Sequence, residues 1–232
     1  MKLTVVGCSP AWPNPGRVHS GYLLEQDGRR LLVDCGPGVL SRLREAESWP
    51  TVDAIAITHM HLDHYGDLVA WLWGHLHVPP SGTPGPELLL PPDGRADLER
   101  IASRFDEVFQ LREYDDAPFE VAGFRVTPHA VVHYDQPTWG FRIEGGGRVV
   151  AFSADTGPTP ALARLAADAD LFLCEATLDQ PEPGQRGHLT AAEAAAAALE
   201  ARVHRLLLVH RAVELTVPDG LELAYDGLEL NL

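Results

Sequence analysis

Two hydrophobic periods run along this chain. A period of two dominates its first half and its middle, and stretches with helical spacing are interleaved throughout. Residues 3–7 alternate weakly and are β-branched, predicting a first strand that stops at Gly7. Residues 10–16 are too rich in Pro, Gly and Asn for regular structure. Residues 22–25 and 30–33 flank Asp27-Gly28, the dipeptide of a tight hairpin turn. A helix opened by proline is predicted over 37–47 and ends before Trp49-Pro50, and a short buried strand follows over 53–57. Residues 67–77 predict an apolar helix stopped by Pro79-Pro80, residues 79–94 a Pro/Gly-dense loop, and residues 95–109 a periodic helix. Strands are expected within 119–130 and 138–152, with Gly145-Gly146-Gly147 as a hairpin turn. A helix over 160–167, a strand over 171–174, an Ala-rich helix over 191–202 and a strand over 205–209 follow. With helices outside and two sheets inside, this order predicts a four-layer α/β/β/α sandwich, as one domain over residues 1–232.

Composition and charge then narrow the function classes. The chain has 232 residues, 45% of them hydrophobic, enough for a sizeable core. Eighteen Lys and Arg against 33 Asp and Glu give a formal charge of −15. That balance argues against general attraction to nucleic acid or an anionic membrane, and leaves room for a small anion held at a local cationic site. No apolar run reaches the roughly 18 to 20 residues of a membrane span. Val5-Val6-Gly7-Cys8 resembles a lipoprotein cleavage site, but the stretch before it is too short for a signal. Cys8, Cys35 and Cys174 lie in three separate apolar stretches and read as buried thiols of a cytoplasmic protein.

The chemistry begins at Thr58-His59-Met60-His61-Leu62-Asp63-His64, directly after a strand. Imidazole nitrogens and carboxylate oxygens suit zinc or a similar transition ion. Adjacent side chains diverge, so these four do not all reach one metal. In an extended turn His59 and His61 point to one side, while Asp63 and His64 swing toward a second ion. Two ions need further ligands, for which His133, Asp155, His188 and His210 qualify. Asp155 stands where a strand runs into a Gly/Pro turn, and His210 where the apolar run 206–209 ends.

His-x-His-x-Asp-His resembles the metal motif of the metallo-β-lactamase fold. The accompanying segments resemble its ribonuclease-Z-like branch: Val33-Asp34-Cys35-Gly36-Pro37-Gly38, His133 followed by Trp139-Gly140-Phe141-Arg142, Ser153 to Gly157, Glu175-Ala176-Thr177, Gly187-His188-Leu189-Thr190 and Val209-His210. The resemblance spans nearly the whole chain in order. It implies that His59, His61 and His133 hold one divalent metal ion and Asp63, His64 and His210 a second, with Asp155 bridging them. Zinc or manganese would fill the pair. His129 is a rival to His133, and the Gly-aromatic-Arg stretch after His133 favours the latter. His19, His75, His77 and His204 match no motif and read as surface or packing residues.

A hydroxide pinned between two ions is a strong nucleophile at neutral pH, and Asp63 is placed to accept the attacking water's proton as well as to ligate. His188 precedes Thr190-Ala191-Ala192-Glu193, a capping box that opens the Ala-rich helix. A helix N-terminus favours an anionic oxygen, and His188 beside it can protonate a leaving group. Glu175, in the Glu-Ala-Thr position, is expected to orient His188 and keep it protonated. Nucleotide recognition calls for aromatic surfaces nearby, and Tyr65, Trp71, Trp73, Tyr134 and Trp139 are the candidates, with Trp71 and Trp73 reading as helix core or interface.

Enzymes of that branch that process transfer RNA carry a long flexible arm between the third motif and the bridging Asp. Here only 21 residues, 134 to 154, separate His133 from Asp155, and they are filled by a hairpin. The expected activity is therefore hydrolysis of small phosphodiesters, cyclic nucleotides among them, without nucleic-acid or membrane partners, and the resemblance implies a homodimer. An RNA 3′-end endonuclease is the competing reading. A thioester or lactone hydrolase would leave His188 and Glu175 without a task, and a non-catalytic metal-binding module would leave the proton donor unexplained.

Overall fold

A computed structural model describes residues 1–79 and 82–232. Its strands are β1 (Lys2–Gly7), β2 (Gly21–Gln26), β3 (Arg29–Val33), β4 (Ala54–Ala56), β5 (Glu87–Leu90), β6 (Gln110–Glu113), β7 (Phe119–Val121), β8 (Phe124–His133), β9 (Gln136–Gly145), β10 (Arg148–Phe152), β11 (Leu171–Glu175), β12 (Leu206–Val209) and β13 (Glu229–Asn231). Its helices are α1 (Val39–Ala46), α2 (Leu62–Tyr65), α3 (Asp67–His75), α4 (Gly94–Ile101), α5 (Ala161–Leu165) and α6 (Ala191–Ala201). One sheet runs β13-β1-β2-β3-β4-β5-β6 and the other β12-β11-β10-β9-β8-β7.

Neighbouring apolar residues within a strand serve opposite faces. Leu24, Leu31 and Leu89 meet Phe124, Phe141, Val150, Leu173 and Leu207 between the sheets. Leu23, Leu32 and Leu88 instead pack outward against Leu40, Leu68, Trp71 and Leu98 of the helices. On the far side Phe172, Cys174 and Leu208 pack against Leu162, Leu165, Ala194 and Ala198. Strands buried on both faces read as continuous apolar runs, and the result is the expected α/β/β/α sandwich. The Asp27-Gly28 hairpin joins β2 and β3 as predicted, both residues at positive φ (49° and 75°).

Three expectations are corrected. Residues 79–94 are not merely a loop, because β5 lies within them and pairs in parallel with β4 and β6. Prolines at 84, 86, 91 and 92 flank that four-residue strand and mask it in the sequence. Pro80 and Ser81 of that loop, including half of the Pro79-Pro80 stop, lie outside the described residues. The helix expected over 95–109 ends at Ile101, with a single 3₁₀ turn at Phe105–Glu107 beyond it. Edge strands β6 and β13 were not foreseen. Each carries one apolar residue among polar ones, so neither shows a hydrophobic repeat in the sequence.

Candidate dinuclear metal centre

The sequence-predicted residues meet where the carboxyl ends of several strands converge, the usual place for a site in sheets of this kind. Asp34 follows β3, His59 follows β4, His133 closes β8, Asp155 follows β10, Glu175 closes β11 and His210 follows β12. Asp34 (φ 60°), Ala154 (φ 54°) and His210 (φ 49°) take left-handed backbone at these ends. Each such non-glycine position costs about 1 kcal/mol or more. The sharp turns they make aim Asp34, Asp155 and His210 into one cleft.

Two ligand groups form there. His59, His61 and His133 offer atoms lying within 4.8 Å of one another, as do Asp63, His64, Asp155 and His210. His61 presents Nδ1, 3.0 Å from His133 Nε2. Asp63 Oδ2 lies 3.1 Å from His210 Nε2 and 3.3 Å from His64 Nε2. Asp155 Oδ2 lies 3.5 Å from both His64 Nε2 and His210 Nε2, and 3.9 Å from both His59 Nε2 and His133 Nε2. One carboxylate oxygen thus stands between the two groups.

The far ring nitrogens of His59, His64, His133 and His210 are engaged. Thr58 Oγ1 donates to Asp34 and accepts from His59 Nδ1 at 3.1 Å. His64 Nδ1 donates to Asp34 Oδ2 at 2.7 Å, and His133 Nδ1 to the Gly187 carbonyl at 2.8 Å. The Thr177 hydroxyl donates to the His210 carbonyl and accepts from His210 Nδ1 at 2.9 Å. Partners on Nδ1 leave the Nε2 lone pair facing the cleft, the tautomer a metal requires. His59 Nε2 and His64 Nε2 are buried without any hydrogen-bond partner. An orphaned buried nitrogen costs about 1–3 kcal/mol, and two of them aimed at one carboxylate fit a cation. The site is built for two divalent metal ions.

Electrostatics agree for His59, His61, His133 and Asp155, and place positive charge at His64, where a cation would take the proton's place. Burial, reinforced by His64, holds His59 well below the ordinary histidine value, and burial also lowers His61 and His133. Burial by itself raises Asp155, but His210 and His64 outweigh it and hold the carboxyl well below its usual range. Burial likewise opposes charge on His64, and Asp155 and Asp34 override it and push that histidine up.

Beside the pair, His188 Nδ1 donates to Glu175 Oε1 at 2.8 Å. A ligand-type atom of His188 lies within 4.8 Å of atoms from His133 and Asp155. Glu175 is buried and also accepts from the backbone N–H groups of Thr156, Thr177 and Leu189. Burial works against charge on His188, but the Glu175 bond prevails and its pKa is pushed up to about 9. The capping box of α6 is present, with Thr190 and Glu193 bonded reciprocally. Arg186 grips Glu193 through both terminal nitrogens (2.5 and 2.7 Å) and donates to the His188 carbonyl at 3.2 Å. The segment that carries His188 is thereby tied to the helix start.

Some details differ from the sequence reading. Asp63 and His64 sit on the single-turn helix α2, not in an extended turn, with His61 as its N-cap. His129 lies four residues back along β8, about 13 Å away, in the field of Arg164 and Arg142 and outside both ligand groups. His19 is a packing residue bonded to the Pro10 carbonyl, yet it feels Asp63 and so lines the edge of the site. Asp34, Thr58 and Thr177 were missed as orienting residues. Asp34 carries the same signature that marked Asp155, an acid directly after an apolar strand. Removing the carboxylate that holds a ligating imidazole typically costs 10- to 100-fold in metal affinity. Asp34→Ala is expected to weaken metal retention by about that factor, read as the chelator concentration needed to strip the protein.

Comparison with known proteins agrees with this geometry. The family model described as a β-lactamase superfamily domain matches residues 29–211. An uncharacterized protein of Mycobacterium leprae is 33% identical over 223 residues, covering 90% of this chain and 77% of its own. A ribonuclease Z of Mycolicibacterium paratuberculosis is 31% identical over 245 residues, covering 90% and 85%. The crystal structure of the metallo-β-lactamase fold protein YhfI from Bacillus subtilis superposes with a TM-score of 0.87 at 26% identity, over 99% of both chains.

Proposed function

The chain belongs to the β-lactamase superfamily, and from that premise we propose that it is a dinuclear metal-dependent phosphodiesterase for small phosphodiesters, cyclic nucleotides included. One observation carries this reading: a buried Glu175 holds His188 at 2.8 Å beside a carboxylate that stands between two ligand groups. Bound divalent ions supply Lewis-acid neutralisation of a phosphoryl oxygen and a lowered water pKa. His59, His61 and His133 would hold one ion, Asp63, His64 and His210 the other, with Asp155 to both, and zinc is the ion we assign. His188 would donate its proton to the leaving-group oxygen, and Glu175 would keep it charged and oriented. Asp63 is bonded to His210 and lies against His64, and the two histidines hold it below the ordinary carboxylate range against burial, so it serves as a ligand more than as a proton acceptor.

Small substrates are favoured over RNA by what surrounds the cleft. The hairpin β9–β10 fills the stretch between His133 and Asp155, leaving no arm to grip a folded RNA. Glu182 and Asp135 stand by Tyr134 and Gln185 at its rim, and the chain carries −15 overall, so a polyanion is repelled. We place the protein in the reducing cytoplasm on the ground of its three free buried thiols, and expect a single-domain chain that pairs as a homodimer. No described helix is long and apolar enough to cross a membrane.

The test is a substrate panel with zinc or manganese added. It comprises bis(p-nitrophenyl) phosphate, 3′,5′- and 2′,3′-cyclic nucleotides, a precursor transfer RNA, a thioester and a lactone. Faster turnover of the small diesters supports the proposal. Preferential cleavage of the transfer RNA turns the assignment to an endonuclease, and turnover of thioester or lactone alone removes phosphoester chemistry altogether.

A further inference from the structure

Of the aromatic residues near the motifs, Trp71, Tyr65 and Trp139 are buried, and Trp73 lies on the outer helix against Arg104. Tyr134 differs from them all. Its ring lies 5.3 Å from that of His133 and 5.7 Å from that of His188, so among the described residues it is the tyrosine, tryptophan or phenylalanine that touches the site histidines. It remains 40% exposed.

The sequence spends an awkward position on it. Tyr134 and Asp135 form the two-residue turn between β8 and β9, where His133 pairs with Gln136. Tyr134 has φ 46°, a conformation such turns normally give to Gly, Asn or Asp. A bulky side chain there is a local mismatch of the kind that accompanies function. The surroundings fix the ring. A Cβ on Gly187 would come within 2.2 Å of it, so the absence of a side chain at 187 is what seats it. Its hydroxyl donates to Glu182 at 2.8 Å, and its carbonyl accepts from Gln185 Nε2 at 2.7 Å. A rigid, half-bare aromatic surface beside the proton donor loses little freedom when a flat group settles on it.

We propose that Tyr134 is a specificity-determining residue, a fixed wall that receives the planar group esterified to the phosphate: an aryl ring or a nucleobase. This rests on the phosphodiesterase reading of the site. Stacking on an aromatic side chain stabilises a bound planar group, and its loss is read as a roughly tenfold fall in affinity for a planar ester.

The experiment measures equilibrium binding of phenyl phosphate and methyl phosphate to the zinc-loaded protein. The two carry the same charged group and differ in planarity. Wild type is expected to prefer phenyl phosphate. Tyr134→Leu is expected to lose about tenfold for phenyl phosphate with methyl phosphate unchanged, and Tyr134→Phe to keep the preference. Equal binding of the two esters by wild type, a preference that survives in Tyr134→Leu, or parallel weakening of both esters would overturn the role of Tyr134 and leave the phosphodiesterase reading standing. Failure of wild type to bind either ester would overturn the role of Tyr134, and the phosphodiesterase reading falls with it only if the diester panel also shows no turnover.

Discussion

Asp155→Ala is expected to lower kcat/KM for a small diester by about 10³-fold, equivalent to roughly 4 kcal/mol of transition-state stabilisation, and to leave the purified protein with fewer than two metal ions per chain. The expectation follows from where its Oδ2 stands, 3.5 Å from two ring nitrogens of one group and 3.9 Å from two of the other. No other carboxylate among the described residues has that relation to both groups. Two divalent ions bring four positive charges into a buried site, against which Asp63 and Asp155 are the carboxylates in the ligand groups. Deleting one enlarges the uncompensated positive charge, which a low-dielectric pocket resists. Asp155→Asn keeps the shape and removes the charge, so it separates electrostatics from packing. Full metal occupancy with wild-type turnover in both variants would remove Asp155 from the centre. Circular dichroism should show both folded, since the hydrogen bonds that orient the histidines come from Asp34, Thr58, Gly187 and Thr177.

That arrangement also explains how much of the site a linear reading reaches. His59, His61, Asp63 and His64 are legible because one short turn carries them, and Asp155 and His210 because each ends an apolar strand. Asp34 carries the same strand-end signature, but the sequence does not show which histidine it orients. It lies 30 residues before His64, and only the parallel pairing of β3 with β4, with Val33 opposite Ala56, brings it under Thr58 and His64. The left-handed turns at Asp34, Ala154 and His210 leave no compositional trace either, since strain imposed by tertiary contacts overrides local preference. In the fold, the strands that form one wall of the core were readable from apolar pairs such as Leu23-Leu24 and Leu31-Leu32, whose members face opposite layers. Edge strands β6 and β13 hydrogen-bond on one side and offer one apolar residue each, Leu111 half-buried and Leu230 buried, so hydrophobic periodicity says little about them.

His188→Ala is expected to reduce kcat by about 10²- to 10⁴-fold, the usual range for losing a positioned general acid, while both metal ions stay bound. The loss should depend on the leaving group. A nitrophenolate departs readily without a proton, so bis(p-nitrophenyl) phosphate should suffer far less than a cyclic nucleotide, whose leaving alkoxide needs one. A uniform loss across leaving groups would make His188 a structural residue. The pH profile gives an independent sign. In the proposed acid role His188 must be protonated, and its pKa is raised to about 9 by the Glu175 bond, against burial. Activity that depends on it is therefore present below that value and falls as pH rises through it. Bound cations a few ångströms away pull the value down, so the descending limb should lie at or below about pH 9. In Glu175→Gln the partner's charge is gone, and that limb should shift toward the ordinary histidine value near 6.5. A limb that stays in place in Glu175→Gln would assign it to some group other than His188.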